Sequence, residues 1–351
     1  MILINGDFFC RRLTGIERYA YEITIRLDKL CKPGEIAIVI PSYIKNLPEY
    51  KNLKVIRLKK KGKNIIWQMM TLQYFLLIHK KYTVLEFGNN CLPFTPGIVF
   101  LHDIYCELFP KDFTSIRDKF TMLYSRIQYR FISYLAKRII TVSESSKKEI
   151  INKFRINQDK IDVIYSNADH MKKIKSDTSV FTDFPILNNK QYYYFLGSLS
   201  KRKNLQWIIK YAKKNPEDYF AISGTSLLTV KIKELDAEIP KNIILLGYLN
   251  DSKVKALMEK CKAFILPSYY EGFGLTPLEA LSCGVPIIIS NASSLPEIYG
   301  NTAHYIDPFN TDVDLNQLLK EPVDNPDEIL SKYSSDKAAT MLYDVLKEYI
   351  N

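Results

Sequence analysis

Glu271 and Glu279 stand eight residues apart, separated by a run that begins Gly272, Phe273, Gly274, Leu275, Thr276. Glycines lack a Cβ, so such a loop can bring its backbone close to a ligand. A glycine loop that runs into a helix start presents unpaired N–H groups and the positive end of the helix dipole, which suits a phosphate. Two carboxylates beside an anion are misplaced unless they bind something neutral, and sugar hydroxyls fit that need. The loop therefore suits a nucleotide-sugar. Thr276 is positioned to cap the helix, Pro277 suits its first turn, and Gly284 with Pro286 ends it. Thr276-x-x-Glu279 is equally a capping box, in which Glu279 would turn back to the helix start and meet no ligand.

A second cluster follows the aromatic run 192–196. Gly197 and Ser198 permit a tight turn, Arg202 and Lys203 supply charge, and Asn204 is a good N-cap for the amphipathic stretch that begins at Leu205. Cations at a helix start oppose its dipole, so two together need an anion between them. A diphosphate would serve, with Lys203 as a point charge and Arg202 as a fork. A basic surface turn is the plainer alternative. Nearer the N-terminus, His102 and Asp103 end an apolar run, where His102 can donate to a hydroxyl and Asp103 can orient a polar group.

The Glu271-x7-Glu279 run resembles the signature of the retaining glycosyltransferases of family 4, which have the GT-B fold. The Gly197–Asn204 stretch resembles the same family's pyrophosphate motif, with Ser198 where many members carry Arg. Gly15, Glu17 and Arg18 resemble its first glycine loop, and Gly247, Tyr248 and Leu249 its base-receiving strand end. The likeness at residues 5–19 and 88–109 is nearest to bacterial transferases that build O-antigen or capsule. The resemblance implies an α/β chain of two doubly wound Rossmann-like domains, with a cleft between them and a C-terminal helix crossing back to the first. It implies a metal-independent, cofactor-free hexosyltransferase that retains configuration. Donor contacts fall to Gly15, Ser198, Arg202, Lys203, Tyr248 and Leu249, then to Glu271, Gly272, Phe273, Gly274, Leu275, Thr276 and Glu279. Glu271, His102, Lys203 and Arg202 would serve catalysis, with Glu271 holding sugar hydroxyls rather than acting as a nucleophile. Glu17, Arg18 and Asp103 would face the acceptor, which the resemblance makes an undecaprenyl-diphosphate-linked saccharide.

The rest of the chain must position these residues. At 351 residues, two domains each with its own core are expected. Apolar runs at 2–4, 36–40, 55–58, 97–101, 139–142 and 162–164 read as buried strands between amphipathic helices. A second set lies at 192–196, 219–223, 243–246, 263–266 and 285–290. Such alternation predicts parallel sheets. The polar stretch 167–189 is expected to be the linker. The division is then 1–172 for an acceptor domain, 173–335 for a nucleotide-sugar domain and 336–351 for the returning helix.

The net charge of +11 is uneven, with 29 Lys and Arg against 16 Asp and Glu in residues 1–172, and 20 against 22 in the remainder. A basic first half suggests a polyanion or a membrane surface. Clusters at 57–63 and 117–138 mix cations with apolar and aromatic residues, which fits an interfacial helix on anionic lipid. No nucleic-acid motif accompanies the charge, so no nucleic acid partner is expected. The segment 65–78 is too short and polar to span a bilayer, and there is no signal-peptide pattern. Six cysteines and four histidines show no metal spacing. The expectation is a cytoplasmic protein, peripheral on the cytoplasmic face of the inner membrane. Its rivals are a GT-B sugar-nucleotide epimerase, a catalytically silent nucleotide-sugar-binding partner and, more remotely, a nucleic-acid-binding protein.

Overall fold

The computed structural model describes residues 1–11, 15–59, 66–198, 200–224 and 239–350. The described residues divide into two compact units, one of residues 1–167 with 333–351 and one of residues 168–332.

In the first unit seven parallel strands lie in the order β3-β2-β1-β4-β5-β6-β7. They are β1 (Ile2–Asn5), β2 (Ile36–Pro41), β3 (Lys54–Leu58), β4 (Thr83–Glu86), β5 (Ile98–Phe100), β6 (Arg138–Thr141) and β7 (Ile161–Val163). Alternate residues of each strand point to opposite faces. Ile2, Ile4, Ile36 and Ile38 pack with Tyr19, Ile23 and Leu27 of the helix Gly15–Leu30. Leu3, Ala37, Val39 and Val84 pack on the other face with Trp67, Leu72 and Leu76. Both faces are covered, so the strands are apolar throughout rather than alternating.

The final helix, Ser335–Lys347, packs on this unit. Ala338, Ala339, Leu342 and Leu346 join the same cluster as the helix Gly15–Leu30. Arg26 Nε donates to Asp336 at 2.6 Å, and Tyr343 donates to Glu35 at 2.7 Å.

The second unit repeats the plan with six parallel strands, in the order β10-β9-β8-β11-β12-β13. These are β8 (Tyr192–Leu196), β9 (Tyr219–Ser223), β10 (Ile243–Gly247), β11 (Ala263–Leu266), β12 (Ile287–Ser290) and β13 (His304–Ile306). The polar stretch 167–189, expected to be the linker, begins where the chain passes from the first unit to the second. It forms short helical turns whose Val180, Phe181 and Leu187 are buried, and Lys255 Nζ donates to the carbonyls of Met171 and Ile174 at 2.9 and 2.8 Å. Scattered apolar residues without helical period were enough to anchor it.

Each sheet starts at an inner strand, runs outward, then crosses back to the other side of that strand. The reversal opens a crevice at the carboxyl ends of the two strands that flank it, which is where ligands bind in such sheets. In the second unit those strands are β8 and β11. In the first they are β1 and β4.

Candidate functional site

At the β8–β11 reversal the two sequence clusters meet. The chain leaves β8 at Gly197, passes through a short turn at Lys201–Lys203, and starts the helix Leu205–Lys214. Asn204 holds a left-handed conformation (φ 57°), and its side chain does not cap that helix as expected. It donates instead to the carbonyls of Pro267 and Pro308 at 3.0 and 2.7 Å, tying the turn to the end of β11. The amide of Tyr269 donates to Arg202 at 3.0 Å and completes the tie.

This bracing aims two cations at one carboxylate. Lys203 Nζ lies 2.6 Å from Glu271 Oε1, and an Arg202 guanidinium nitrogen lies 3.2 Å from Glu271 Oε2. Glu271 is buried. Burial alone would push its carboxyl up, but Lys203 and then Arg202 outweigh that and hold it below its ordinary range. It is therefore ionised at neutral pH, and the cluster as a whole carries positive charge.

The loop carrying Glu271 is fixed from behind. Ser293 and Ser294, just beyond β12, both donate to the Glu271 carbonyl, at 2.7 and 2.9 Å. Gly274 has φ +84°, and a Cβ there would lie 2.4 Å from Leu295 Cδ2. Its carbonyl accepts from the buried Tyr299 hydroxyl. Gly224 after β9 is a second obligatory glycine, since a Cβ would lie 1.8 Å from the Gly197 carbonyl oxygen. Gly274→Ala is expected to destabilise the protein by more than the roughly 1–2 kcal/mol usual for a left-handed non-glycine residue, because the added Cβ also meets the buried Leu295. Thermal or urea unfolding measures this, and an unchanged midpoint would show that the loop can abandon that conformation.

Gly274 is also the N-cap of the helix Leu275–Ser282. Thr276 lies inside the first turn, so the expected Thr276 cap is not made. Its buried hydroxyl has no hydrogen-bond partner among the described residues. Glu279 is then not the far end of a capping box. Its Oε1 lies 3.0 Å from Nε2 of the buried His170. Phe273 is buried, Leu275 is half-buried, and beyond β10 Tyr248 is exposed and Leu249 half-buried. Ser198 is exposed at the exit of β8.

In the first unit the candidates are more scattered. Gly15 opens a sixteen-residue helix rather than a loop, while Glu17 pairs with Arg11 at 3.4 Å. Arg18 is half-buried one position on. His102 is half-buried with Nε2 2.7 Å from the Phe87 carbonyl, so that nitrogen carries the proton and is already used. Burial holds its pKa below the ordinary value, which leaves it neutral with Nδ1 as an acceptor. With Nε2 engaged by that carbonyl, His102 faces a ligand as an acceptor and not as the hydroxyl donor expected. Asp103 accepts from the Tyr105 amide at 3.1 Å.

Reading the sequence missed the pair at the β1–β4 reversal. Asn5 Nδ2 donates to both oxygens of Glu86, at 2.8 and 3.1 Å, and both residues are buried. Burial, then the neighbouring Asp7 carboxylate, pushes Glu86 well above its ordinary value. Asp7 is itself raised by burial, and it accepts from Arg11 and from Gln68, at 2.6 and 2.7 Å. Gln68 sits on a π-helical turn, Trp67–Leu72, that turns it inward. No sequence signal marks this cluster beyond a carboxylate ending an apolar run.

Residues 13–170 match the description Glycosyltransferase Family 4, and residues 177–338 match Glycosyl transferases group 1. The chain is 27% identical to O-antigen chain mannosyltransferase B of Escherichia coli, over 89% of this chain and 88% of that protein. It is 22% identical to O-antigen chain mannosyltransferase RfbU of Salmonella typhimurium, over 81% and 76%. Among solved structures, Anabaena HepE in complex with UDP and glucose superposes with TM-score 0.68 at 17% identity, covering 99% of both chains. WaaG, a glycosyltransferase involved in lipopolysaccharide biosynthesis, gives 0.62 at 15% identity, covering 98% and 95%. The two Rossmann-like sheets and these neighbours make the fold GT-B.

Proposed function

Because this chain belongs to the glycosyltransferases of family 4, we propose that it moves a sugar from a nucleoside-diphosphate donor to a hydroxyl of a lipid-linked saccharide. The observation that carries this reading is the convergence of Lys203 and Arg202 on Glu271, at the reversal of a doubly wound sheet and beside a glycine-capped helix start. A departing diphosphate develops negative charge as the sugar becomes cationic, and fixed charges aimed at that spot stabilise it. Lys203, Arg202, the helix dipole and the Thr276 hydroxyl, which has no partner among the described residues, supply the anion site without a metal. Glu271 holds the sugar hydroxyls from the other side, and Glu279, with His170, holds the ribose. The leaving oxygen takes the acceptor proton on the same face, so configuration is retained and no protein nucleophile is needed.

The process is surface-polysaccharide assembly, O-antigen foremost and capsule next, on the cytoplasmic face of the inner membrane. Two relatives matched over most of their length, 88% and 76%, carry O-antigen mannosyltransferase names. One partial relative is named for transfer onto a diphosphoundecaprenol-linked sugar, which supports an undecaprenyl-diphosphate acceptor here. Glu86, Asp7, Glu17, Arg18 and Asp103 are the acceptor-facing candidates.

The test is transfer from a panel of UDP-, GDP- and dTDP-sugars to synthetic polyprenyl-diphosphate saccharides, with chelator present and the product anomer read by NMR. A product of retained configuration from one donor is expected. Donor epimerisation without acceptor, or binding with no turnover, would replace this reading with an epimerase or a silent partner.

A further inference from the structure

Two helices of the first unit leave apolar faces uncovered. On the helix Ile116–Leu135, Ile116, Phe120, Leu123, Ile127 and Tyr134 are exposed, Ile116 and Phe120 at 76% and 70%. At 100° per residue these five fall within roughly 60° of one another. The residues that hold the helix down, Gln128, Tyr129, Ile132 and Ser133, lie on the opposite side. On the helical segment that includes Trp67–Leu72 and Gln73–Ile78, Met70 and Tyr74 are exposed at 67% and 65%, with Ile66, Leu77 and Ile78 alongside.

The two stripes belong to one surface. Both helices pack on the same face of the seven-stranded sheet, through Leu3 and Val84 in one case and Val99 and Ile139 in the other. The loop between β4 and β5 is stitched to both. Phe94 N donates to Gln73 at 3.2 Å, Cys91 N donates to Gln128 at 2.8 Å, and Tyr124 donates to Asn90 at 3.2 Å. Phe94 itself is 74% exposed.

The charge around this surface is mostly positive, although Arg126 and Arg130 also pair with the buried Glu107 at 3.1 and 2.7 Å. Residues 116–137 carry Arg117, Lys119, Arg126, Arg130 and Lys137 against the single carboxylate of Asp118, and residues 66–82 carry Lys80 and Lys81 with no carboxylate. Lys119, Arg126 and Arg130 run along one edge of the Phe120 stripe, and Arg117 lies beyond the other. A second copy of the chain docking by the same patch would set like charge against like. An anionic bilayer complements it, with apolar side chains entering the headgroup boundary and the cations meeting phosphates. None of the described helices is long and apolar enough to cross a membrane, so the contact is a helix face lying on the surface.

We infer that the apolar faces of Ile116–Leu135 and of residues 66–78, joined at Phe94, dock this protein on an anionic lipid surface. This gives a location to the peripheral attachment proposed above and does not depend on which donor or acceptor the enzyme takes. The test is flotation of the full chain with vesicles of phosphatidylcholine alone or with 30% phosphatidylglycerol as a chosen probe, without nucleotide-sugar. Binding is expected only to the anionic vesicles and to weaken with salt. F120S/L123S should lower the bound partition coefficient about tenfold or more, since each side chain is worth over 1 kcal/mol when buried. M70S/Y74S should do the same, and R117S/K119S should flatten the salt dependence. All three variants should keep their unfolding midpoint and their transfer to a water-soluble acceptor, which separates this inference from the glycosyl-transfer reading. No binding by the parent chain, binding unaltered in both apolar variants, or a dimer that F120S/L123S dissociates would each overturn it.

Discussion

Glu271→Gln is expected to abolish sugar transfer while leaving affinity for free nucleoside diphosphate intact or higher. The two effects separate because the residue sits between two jobs. Its carboxylate neutralises Lys203 and Arg202 at 2.6 and 3.2 Å, and in the proposed complex it also grips the sugar. Removing one partner of a buried charge cluster typically costs about 3–5 kcal/mol, because the remaining charges lose their compensation. The Gln amide recovers part of this through hydrogen bonds, so the free variant should unfold earlier but still fold. A diphosphate would then restore the missing negative charge and should stabilise the variant more than the parent. Transfer should fall by a factor on the order of a thousand, the scale of about 4 kcal/mol of lost transition-state stabilisation.

The pH dependence has a definite sign. The folded carboxyl is held below its ordinary 4.5, so its ion pairs stabilise the fold fully above about pH 4.5. That contribution drains away as pH falls through the lowered value. The Gln variant should lack this acid limb. Near-normal turnover in the variant would remove Glu271 from the site.

Lys203→Ala should weaken nucleoside-diphosphate binding by roughly 1.5–3 kcal/mol, or about 10- to 150-fold, the range for a charge-assisted contact. Arg202→Ala should cost less. The Arg202 pair is longer and its side chain is 23% exposed against 12% for Lys203, so more of its charge is already screened by water. A larger loss in Arg202→Ala than in Lys203→Ala would mean that the guanidinium fork, rather than the ammonium, is the main phosphate contact.

Much of this architecture was readable from residue order. Gly272, Gly274 and Gly284 marked the loop and the helix end. The apolar runs at 2–4, 36–40 and 263–266 located strands because a sheet covered on both faces needs no alternation. Strands β4 and β13 escaped notice because polar residues break their apolar character: Thr83 and Glu86 leave only Val84 and Leu85 in one, and His304 opens the other. Missing β4 hid the Asn5–Glu86 pair, which exists only because β1 and β4 are neighbours across the reversal. The Glu271–Lys203 contact spans 68 residues; its parts were visible in the sequence and its geometry was not. Thr276 was misplaced because a Thr before a helix and a Thr inside the first turn look alike in sequence. Gly274 settles the matter through its positive φ, a property of the fold rather than of the residue order. The basic cluster at 57–63 lies partly outside the described residues.

The most direct test of the account is calorimetric titration of UDP, GDP and dTDP into the chain and into its Lys203→Ala and Glu271→Gln variants, with chelator present. Binding of one nucleotide, weakened by Lys203→Ala and undiminished by Glu271→Gln, is the predicted pattern. Folded protein that binds none of the three, or that binds one equally well without Lys203, would contradict the placement of the diphosphate between β8 and β11.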